Sequence, residues 1–439
     1  MVSHLSYLAL WPPTLTLCLL ALLLRIRCQS WLAAGPFYAL LWAIYSLLPI
    51  LLAPDYPVFP AGLWWIVLSV LAVCSGDATA SHFLRSDGWS PVTENNRPLT
   101  LPYLRPLLFV SILGGLLSSI VAILSTDIGL SLSLSSESYV QTTHALSVGR
   151  YSEEYVPSIT SQILLICVYL SPMLGGMLFP TRQFGWEGGL SLSSLCPALL
   201  VVLLHTTRYP FVLGALLWFA GYGAVRVWCD RGDSRLFTMR ALSVSLCVGS
   251  FVVLLFCFGQ VVRVGTLPTP EAIWEVLASP HLRAWFFGYL SAFSRWFETS
   301  WDVWGDLAWG GYSVAGIFNL LGLLPRELGL YTEIMDLAPG TRTNIYTLFR
   351  GLIQDFTLPG ALIVLWIVGV IAGYAYNQTA RGHLTWMPIL IAFYAFACDF
   401  LTSIFNYNSI LFAWVGLTVY IWGICFYQMR PPQREPVSE

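Results

Sequence analysis

The feature that most constrains this chain is a succession of apolar stretches, each long enough to cross a bilayer, that runs from one end of the sequence to the other. A membrane-spanning helix needs about 20 consecutive apolar residues. Charged residues make up 10% of the 439 residues, whereas soluble domains carry roughly 25%. The sequence therefore predicts an all-α, polytopic membrane protein in which residues 1–439 form one membrane domain.

Eleven spans are predicted from these stretches, with boundaries good to about four residues. They cover residues 5–24, 32–52, 62–83, 107–125, 159–179, 189–205, 210–228, 240–262, 357–376, 385–402 and 408–428.

The arginines predict the orientation of these spans. All 21 basic residues are arginine, and the sequence contains no lysine. Cytoplasmic loops are enriched in basic residues, and thirteen of the arginines lie on one side of the predicted spans. This distribution places the N-terminus outside and the C-terminus inside. The other eight arginines lie outside or at the outer ends of spans, where this rule does not explain them: Arg150, Arg208, Arg263, Arg283, Arg295, Arg326, Arg342 and Arg350.

Two predicted outer loops, residues 126–158 and 263–356, are too long to be simple connections. Loops of this length usually carry function. Within the second, aromatic residues recur at three- and four-residue spacing over 281–299, which predicts an amphipathic helix. Residues 311–324 are apolar but too few to span the membrane. We expect them to be re-entrant or to lie flat on its surface.

Arg208 stands at the outer mouth of two predicted spans, close to the hydrogen-bonding groups of His205, Thr206 and Thr207. One interpretation is an interfacial arginine that extends to lipid phosphates. The other is a cation that binds a phosphate-bearing substrate, since charges this close to a span are costly and often functional.

Arg350 lies in a second polar cluster at the mouth of a span. If residues 344–355 are helical, Tyr346, Arg350 and Gln354 share one face, and Thr343 can cap the N-terminus. Such a helix can orient the arginine towards a substrate. It can equally anchor the chain at the lipid headgroups.

The outer carboxylates supply candidate proton acceptors. Glu153 and Glu154 flank Arg150, where they can form a solvated salt bridge. Glu153, Glu154, Glu298 or Asp355 can alternatively act as a general base. The sequence contains no recognisable metal-binding or phosphate-loop motif, so neither a metal nor a cofactor is predicted.

Three segments resemble the O-antigen polymerases, the Wzy-type oligosaccharide repeat unit polymerases. They are TTRYPFVLGALLWFAGY (206–222), GYLSAFSRWFET (288–299) followed by GGYSVAGIFNLLGLL (310–324), and TNIYTLFRGLIQDFTLPG (343–360). Their order and spacing, and the long outer loop, resemble the family over residues 200–380.

The chain departs from the family at one visible position. The usual Asp-Phe-Gly before a span is here Asp355-Phe356-Thr357, and the next glycine is Gly360. This difference bears on the geometry of the turn between helix and span.

The resemblance implies a GT-C-like fold in a bacterial inner membrane, with the active site facing the periplasm. It implies transfer of a growing glycan from undecaprenyl pyrophosphate to an incoming lipid-linked repeat unit, giving O-antigen or a related surface polysaccharide. It also implies a chain-length regulator, the polysaccharide co-polymerase, as a partner, and no metal or nucleic acid. Fixed guanidinium groups suit a departing pyrophosphate because they bind phosphate oxygens in pairs and stay charged.

On this interpretation the site residues fall into two groups. The candidate catalytic residues are Glu298, Asp355 and Glu153. The candidate substrate-binding residues are Arg150, Arg208, Arg295, Arg350, Asn344, Tyr346 and His205.

Three alternative functions remain. A lipid-linked oligosaccharide transporter would favour paired helical repeats and polar groups deep within the spans. An O-antigen ligase would share the architecture but use a different acceptor, the lipid A core. A structural or regulatory membrane protein would leave the outer arginines without a role.

Overall fold

The computed structural model describes residues 7–86, 101–124, 136–151, 158–181, 184–205, 207, 209–230, 239–301, 307–323 and 331–428. Within these ranges, the side chains of 85–86, 136, 146–147, 149–151 and 239–248 are not described.

The described chain is built almost entirely of helices. They are α1 (Trp11–Cys28), α2 (Ala34–Leu52), α3 (Pro60–Ser86), α4 (Leu104–Leu124), α5 (Ser136–Tyr151), α6 (Ile159–Thr181), α7 (Gly185–Ser193), α8 (Cys196–His205), α9 (Tyr209–Asp230), α10 (Met239–Arg263), α11 (Pro270–Leu277), α12 (Pro280–Ser300), α13 (Ala315–Leu320), α14 (Leu348–Ala380), α15 (Met387–Cys398) and α16 (Asn408–Gln428). Strands β1 (Met335–Ala338) and β2 (Thr341–Thr343) form an antiparallel hairpin.

Nine helical segments in the described part of the chain are long and apolar enough to cross a membrane: α1, α2, α3, α4, α6, α7 together with α8, α9, α14 and α16. Gly249–Arg263, within α10, and Leu384–Cys398, which includes α15, are shorter apolar helices. The prediction of an all-α, multi-pass membrane protein is confirmed. The total of eleven spans stays a prediction.

Glycines on both helices allow α3 and α14 to approach one another closely where they cross. A Cβ atom on Gly76 of α3 would lie 2.2 Å from the carbonyl oxygen of Trp366, and one on Gly369 of α14 would lie 2.1 Å from that of Val73. Small residues at such crossings let helix backbones pack directly. The span α14 is therefore held tightly against α3, and the polar segment at its N-terminal end is fixed with it.

The predicted amphipathic helix at 281–299 is confirmed as α12. Its N-cap is Ser279, whose hydroxyl oxygen accepts a hydrogen bond from the amide of Leu282 at 3.4 Å, and Pro280 occupies the first turn. Tyr289, Phe293 and Trp296 are buried on one face. The apolar segment at 311–324 contains the short helix α13.

The helix predicted at 344–355 begins later than expected. Thr343 pairs with Met335 in the hairpin and does not cap a helix; α14 begins at Leu348, after Thr347. Tyr346 therefore precedes the helix and does not share a helical face with Arg350. Strand pairing takes only Thr343, the predicted cap, and residues 344–347 form an irregular connection between β2 and α14.

A break at Thr357 divides α14 into a short N-terminal helix and the span. Thr357 has φ 65° and ψ 177°, and Pro359 follows two residues later. A β-branched residue rarely adopts positive φ because its side chain crowds the backbone. The short segment before this break carries Arg350.

Candidate active site

Helix α12 forms one side of the candidate site around Arg350. It is fixed to the connection between α2 and α3. The hydroxyl of Ser291 donates to the carbonyl of Pro57 at 2.5 Å, and the amide of Phe59 donates to the hydroxyl of Ser294 at 3.1 Å. A Cβ on Gly62 would lie 2.7 Å from the Cα of Ser294. The helix is therefore part of the rigid body of the protein.

The hairpin β1–β2 packs on α12 through an apolar contact and an arginine. A Cβ on Gly288 would lie 2.7 Å from Leu337. Arg295, a predicted substrate-binding residue, donates from Nη1 to the carbonyl of Asp336 at 2.9 Å. The carboxylate of Asp336 is paired with Arg342 at 2.8 Å. In this structure Arg295 holds the hairpin in place.

Residues 331–334, which have no regular secondary structure, lead into the hairpin; we call them the strap. The side-chain amide of Asn344 donates to the carbonyl of Tyr331 at 3.4 Å, and the hydroxyl of Tyr346 donates to that of Glu333 at 3.3 Å. Two predicted substrate-binding residues, Asn344 and Tyr346, therefore fix the backbone of the strap.

Arg350 is presented by the first turn of α14, which is anchored on both sides. Phe349 is fully buried, and its ring lies 4.4 Å from that of Trp42. The amide of Leu348 donates to the carbonyl of Phe400 at 3.1 Å. These contacts fix the backbone from which the guanidinium projects.

Three aromatic rings surround the guanidinium of Arg350. Its Cζ atom lies 4.1 Å from the ring centre of Tyr346, 4.2 Å from that of Tyr331 and 5.1 Å from that of Trp296. Burial raises the pKa of both tyrosines, and this outweighs the lowering by the arginine. Both phenols therefore stay neutral, and the rings act on the cation through their π faces.

The hydrogen bonds of Arg350 leave one nitrogen without a partner. Nη2 lies 2.7 Å from the Oε2 atom of Glu333, and Nε donates to the side chain of Gln354 at 3.4 Å. Nη1 is buried and has no hydrogen-bond partner among the described residues. A buried guanidinium with an unused donor is suited to an additional acceptor, such as a phosphate oxygen.

Asp355 anchors the turn that contains Tyr312 and Ser313, beside Arg350. It is fully buried, and its carboxylate accepts from the amide of Tyr312 at 3.0 Å and from the amide and hydroxyl of Ser313 at 2.7 Å and 2.6 Å. The amide of Ala308 donates to the carbonyl of Gln354 at 3.1 Å. The predicted catalytic residue Asp355 is thus fully engaged in holding this turn against α14.

Two further candidates lie in the described part of the chain. Glu298 is exposed on α12, and His205 is half-buried at the end of α8. Tyr209, which follows Arg208 in the chain, donates to both oxygens of Asp399 at 2.6 Å and 2.7 Å. Because Phe400 bonds to the first turn of α14, this pair links the start of α9 to the segment that carries Arg350.

Three predicted residues cannot be placed in the site. Arg208 and Glu153 lie outside the described residues, and the side chain of Arg150, in α5, does too. Their roles stay predictions.

Sequence reasoning missed two acidic residues, Glu333 and Asp399. Glu333 lies in an irregular segment with no periodic pattern, and its partner is seventeen residues away. Asp399 ends an apolar helix, where an acidic residue itself was a usable signal. Among the described residues, no three His, Cys, Asp or Glu side chains are grouped as a metal site would require.

Comparison with known proteins adds no relative: no family model, no curated protein and no solved structure matches this chain.

Proposed function

We propose that this protein is a membrane glycosyltransferase that polymerises undecaprenyl-pyrophosphate-linked repeat units into O-antigen or a related surface polysaccharide. The observation that carries the proposal is Arg350, a buried guanidinium with an unused donor, surrounded by aromatic rings at the mouth of a span. Such a group suits the reaction because the leaving pyrophosphate gains negative charge as its bond to the sugar breaks.

The chemistry requires that the charge-stabilising group be in place before the reaction. A guanidinium packed between aromatic rings has few alternative positions, so little reorganisation is needed when charge develops. Because it does not deprotonate, it can act without a metal ion. In the proposal, Arg350 binds the pyrophosphate while Arg295, Asn344 and Tyr346 hold the surrounding hairpin and strap.

The location of the site agrees with a lipid-linked substrate. Thr357 separates the short helix that carries Arg350 from the apolar remainder of α14, which supports a site at the end of a span. A pyrophosphate attached to a membrane lipid lies beside the headgroups, where the end of a span would meet it. We propose a GT-C-like architecture in the inner membrane, with this end of the spans facing the periplasm, and a chain-length regulator as partner.

The proposal is tested by deleting the gene in its host and analysing the lipopolysaccharide or capsule by gel. Loss of the polysaccharide ladder, with retention of a core-plus-one-unit band, is the result expected for a polymerase. Loss of both the ladder and that band would instead indicate a ligase or a transporter. An unchanged ladder would contradict all three functions.

A further inference from the structure

The ion pair between Arg350 and Glu333 joins a buried cation to an accessible anion. The side chain of Arg350 is 6% exposed, whereas that of Glu333 is 50% exposed. Removing the counter-ion of a buried charge is costly unless another anion replaces it. Glu333 can therefore leave the guanidinium at low cost only when a second anion takes its position.

The strap permits this exchange without moving as a whole. The hydroxyl of Tyr346 bonds to the backbone carbonyl of Glu333, and the amide of Asn344 bonds to that of Tyr331. Neither bond involves the Glu333 carboxylate. The side chain can therefore rotate away from Arg350 while its backbone stays within reach of the same site.

Other described carboxylates on this side are less suited to accept a proton beside Arg350. Asp355 is fully buried and holds the turn at Tyr312 and Ser313. Asp336 is paired with Arg342. Glu298 is exposed, and its side chain has no ion pair with Arg350.

From this arrangement, and resting on the proposed function, we infer that Glu333 is the general base of the transfer and that the substrate's pyrophosphate releases it. In the free protein Glu333 neutralises Arg350. When the pyrophosphate binds, it replaces the carboxylate on the guanidinium and leaves Glu333 beside the acceptor sugar. Binding of the donor thus produces the base that the next step needs.

The reaction balances as a single displacement. The Glu333 carboxylate takes the proton from the acceptor hydroxyl, whose oxygen forms a bond to the anomeric carbon of the donor glycan. The bond between that carbon and the pyrophosphate oxygen breaks, and the electron pair leaves with undecaprenyl pyrophosphate, which Arg350 stabilises. The proton is then released to solvent from Glu333.

The inference is tested with the purified full-length protein in liposomes, by comparing Glu333→Gln, Glu333→Asp and Arg350→Ala with wild type. Two quantities are measured: binding of inorganic pyrophosphate, and elongation of a lipid-linked repeat unit. Asp336→Asn is the matched control, because this carboxylate lies on the same hairpin but pairs with a different, exposed arginine.

Glu333→Gln is expected to bind pyrophosphate several-fold more tightly, because an internal competitor for Arg350 is removed. Its turnover should fall by about 10²- to 10⁴-fold, the range typical of a lost general base. The KM for the lipid-linked repeat unit should not rise. Glu333→Asp should retain part of the turnover, and Arg350→Ala should lose pyrophosphate binding. Asp336→Asn should match wild type in both measurements.

The outcomes separate the inference from the proposed function. A wild-type protein that does not elongate the repeat unit contradicts the proposed function and, with it, the base role. An active wild type with an equally active Glu333→Gln variant contradicts the base role alone. Weaker pyrophosphate binding by Glu333→Gln would show that Glu333 supports the anion site. That result would contradict the inference that pyrophosphate replaces the Glu333 carboxylate on Arg350.

Discussion

The Nη2 atom of Arg350 lies 2.7 Å from the Oε2 atom of Glu333, which belongs to the strap, seventeen residues earlier in the chain. The arginine belongs to the rigid end of α14, whereas the glutamate is half-exposed. This asymmetry makes the cation a fixed part of the protein and the anion an exchangeable one. Both proposals above depend on it.

Asp355 is predicted to be a residue on which stability depends. Asp355→Ala removes the acceptor for the amides of Tyr312 and Ser313 and for the Ser313 hydroxyl. Hydrogen bonds to charged groups contribute about 1.5–3 kcal/mol each, so the loss should be about 3 kcal/mol or more. Thermal unfolding in detergent measures it. The exposed Glu298→Ala serves as control and should leave the melting temperature unchanged; equal melting temperatures for both variants would contradict the anchoring role.

Thr357→Gly is expected to stabilise the protein. Thr357 has φ 65° and ψ 177°, a region that essentially only glycine occupies without strain. Relief of that strain should raise the free energy of unfolding by about 1 kcal/mol, after subtraction of the side-chain contacts that the substitution removes. Thr418→Gly is the matched control: it lies inside α16 in helical conformation, so it should lower the melting temperature. A lower melting temperature for Thr357→Gly would show that the threonine side chain is needed at the break.

The aromatic surround of Arg350 is predicted to depend on the ring of Tyr331 more than on its hydroxyl. Tyr331→Phe keeps the π face 4.2 Å from the guanidinium, whereas Tyr331→Leu removes it. A desolvated cation–π contact is worth about 2 kcal/mol. Tyr331→Leu should therefore lower both the melting temperature and the polysaccharide yield, and Tyr331→Phe should stay close to wild type. The same loss in both variants would assign the effect to the hydroxyl.

Polymerisation is predicted to survive removal of divalent cations. The physical reason is that fixed arginines supply the positive charge that a metal would otherwise provide. Among the described residues, Arg350 is the best placed to do so. Purified protein assayed with EDTA should retain its rate. A rate abolished by EDTA and restored by a divalent cation would refute this prediction.

The sequence was a sound guide where regular spacing determines structure. The apolar stretches predicted a multi-pass membrane protein, and the aromatic spacing predicted α12, because burial of one face follows directly from helical periodicity. Arg350 could also be singled out, since a charge at the mouth of a span is unusual.

The sequence was a poor guide where tertiary contacts determine structure. The spacing of Tyr346 and Arg350 suggested one helical face, yet Tyr346 reaches the guanidinium from outside the helix. The pairing of Arg350 with Glu333 depends on how the hairpin packs against α12, and no local pattern records that. Thr357, which precedes the span, adopts a positive-φ conformation typical of glycine, and no local pattern in the sequence predicts it.

The central claim is tested most directly by reconstituting the purified protein in liposomes with an undecaprenyl-pyrophosphate-linked repeat unit and following the length of the glycan. Wild type should produce a ladder, and Arg350→Ala should reduce its rate about a hundred- to thousand-fold, as for loss of a donor to a developing anion. Arg350→Lys should rescue poorly because it lacks the paired donors, and the exposed Arg342→Ala, which loses only a surface ion pair, should match wild type. A wild-type ladder from Arg350→Ala would contradict the account.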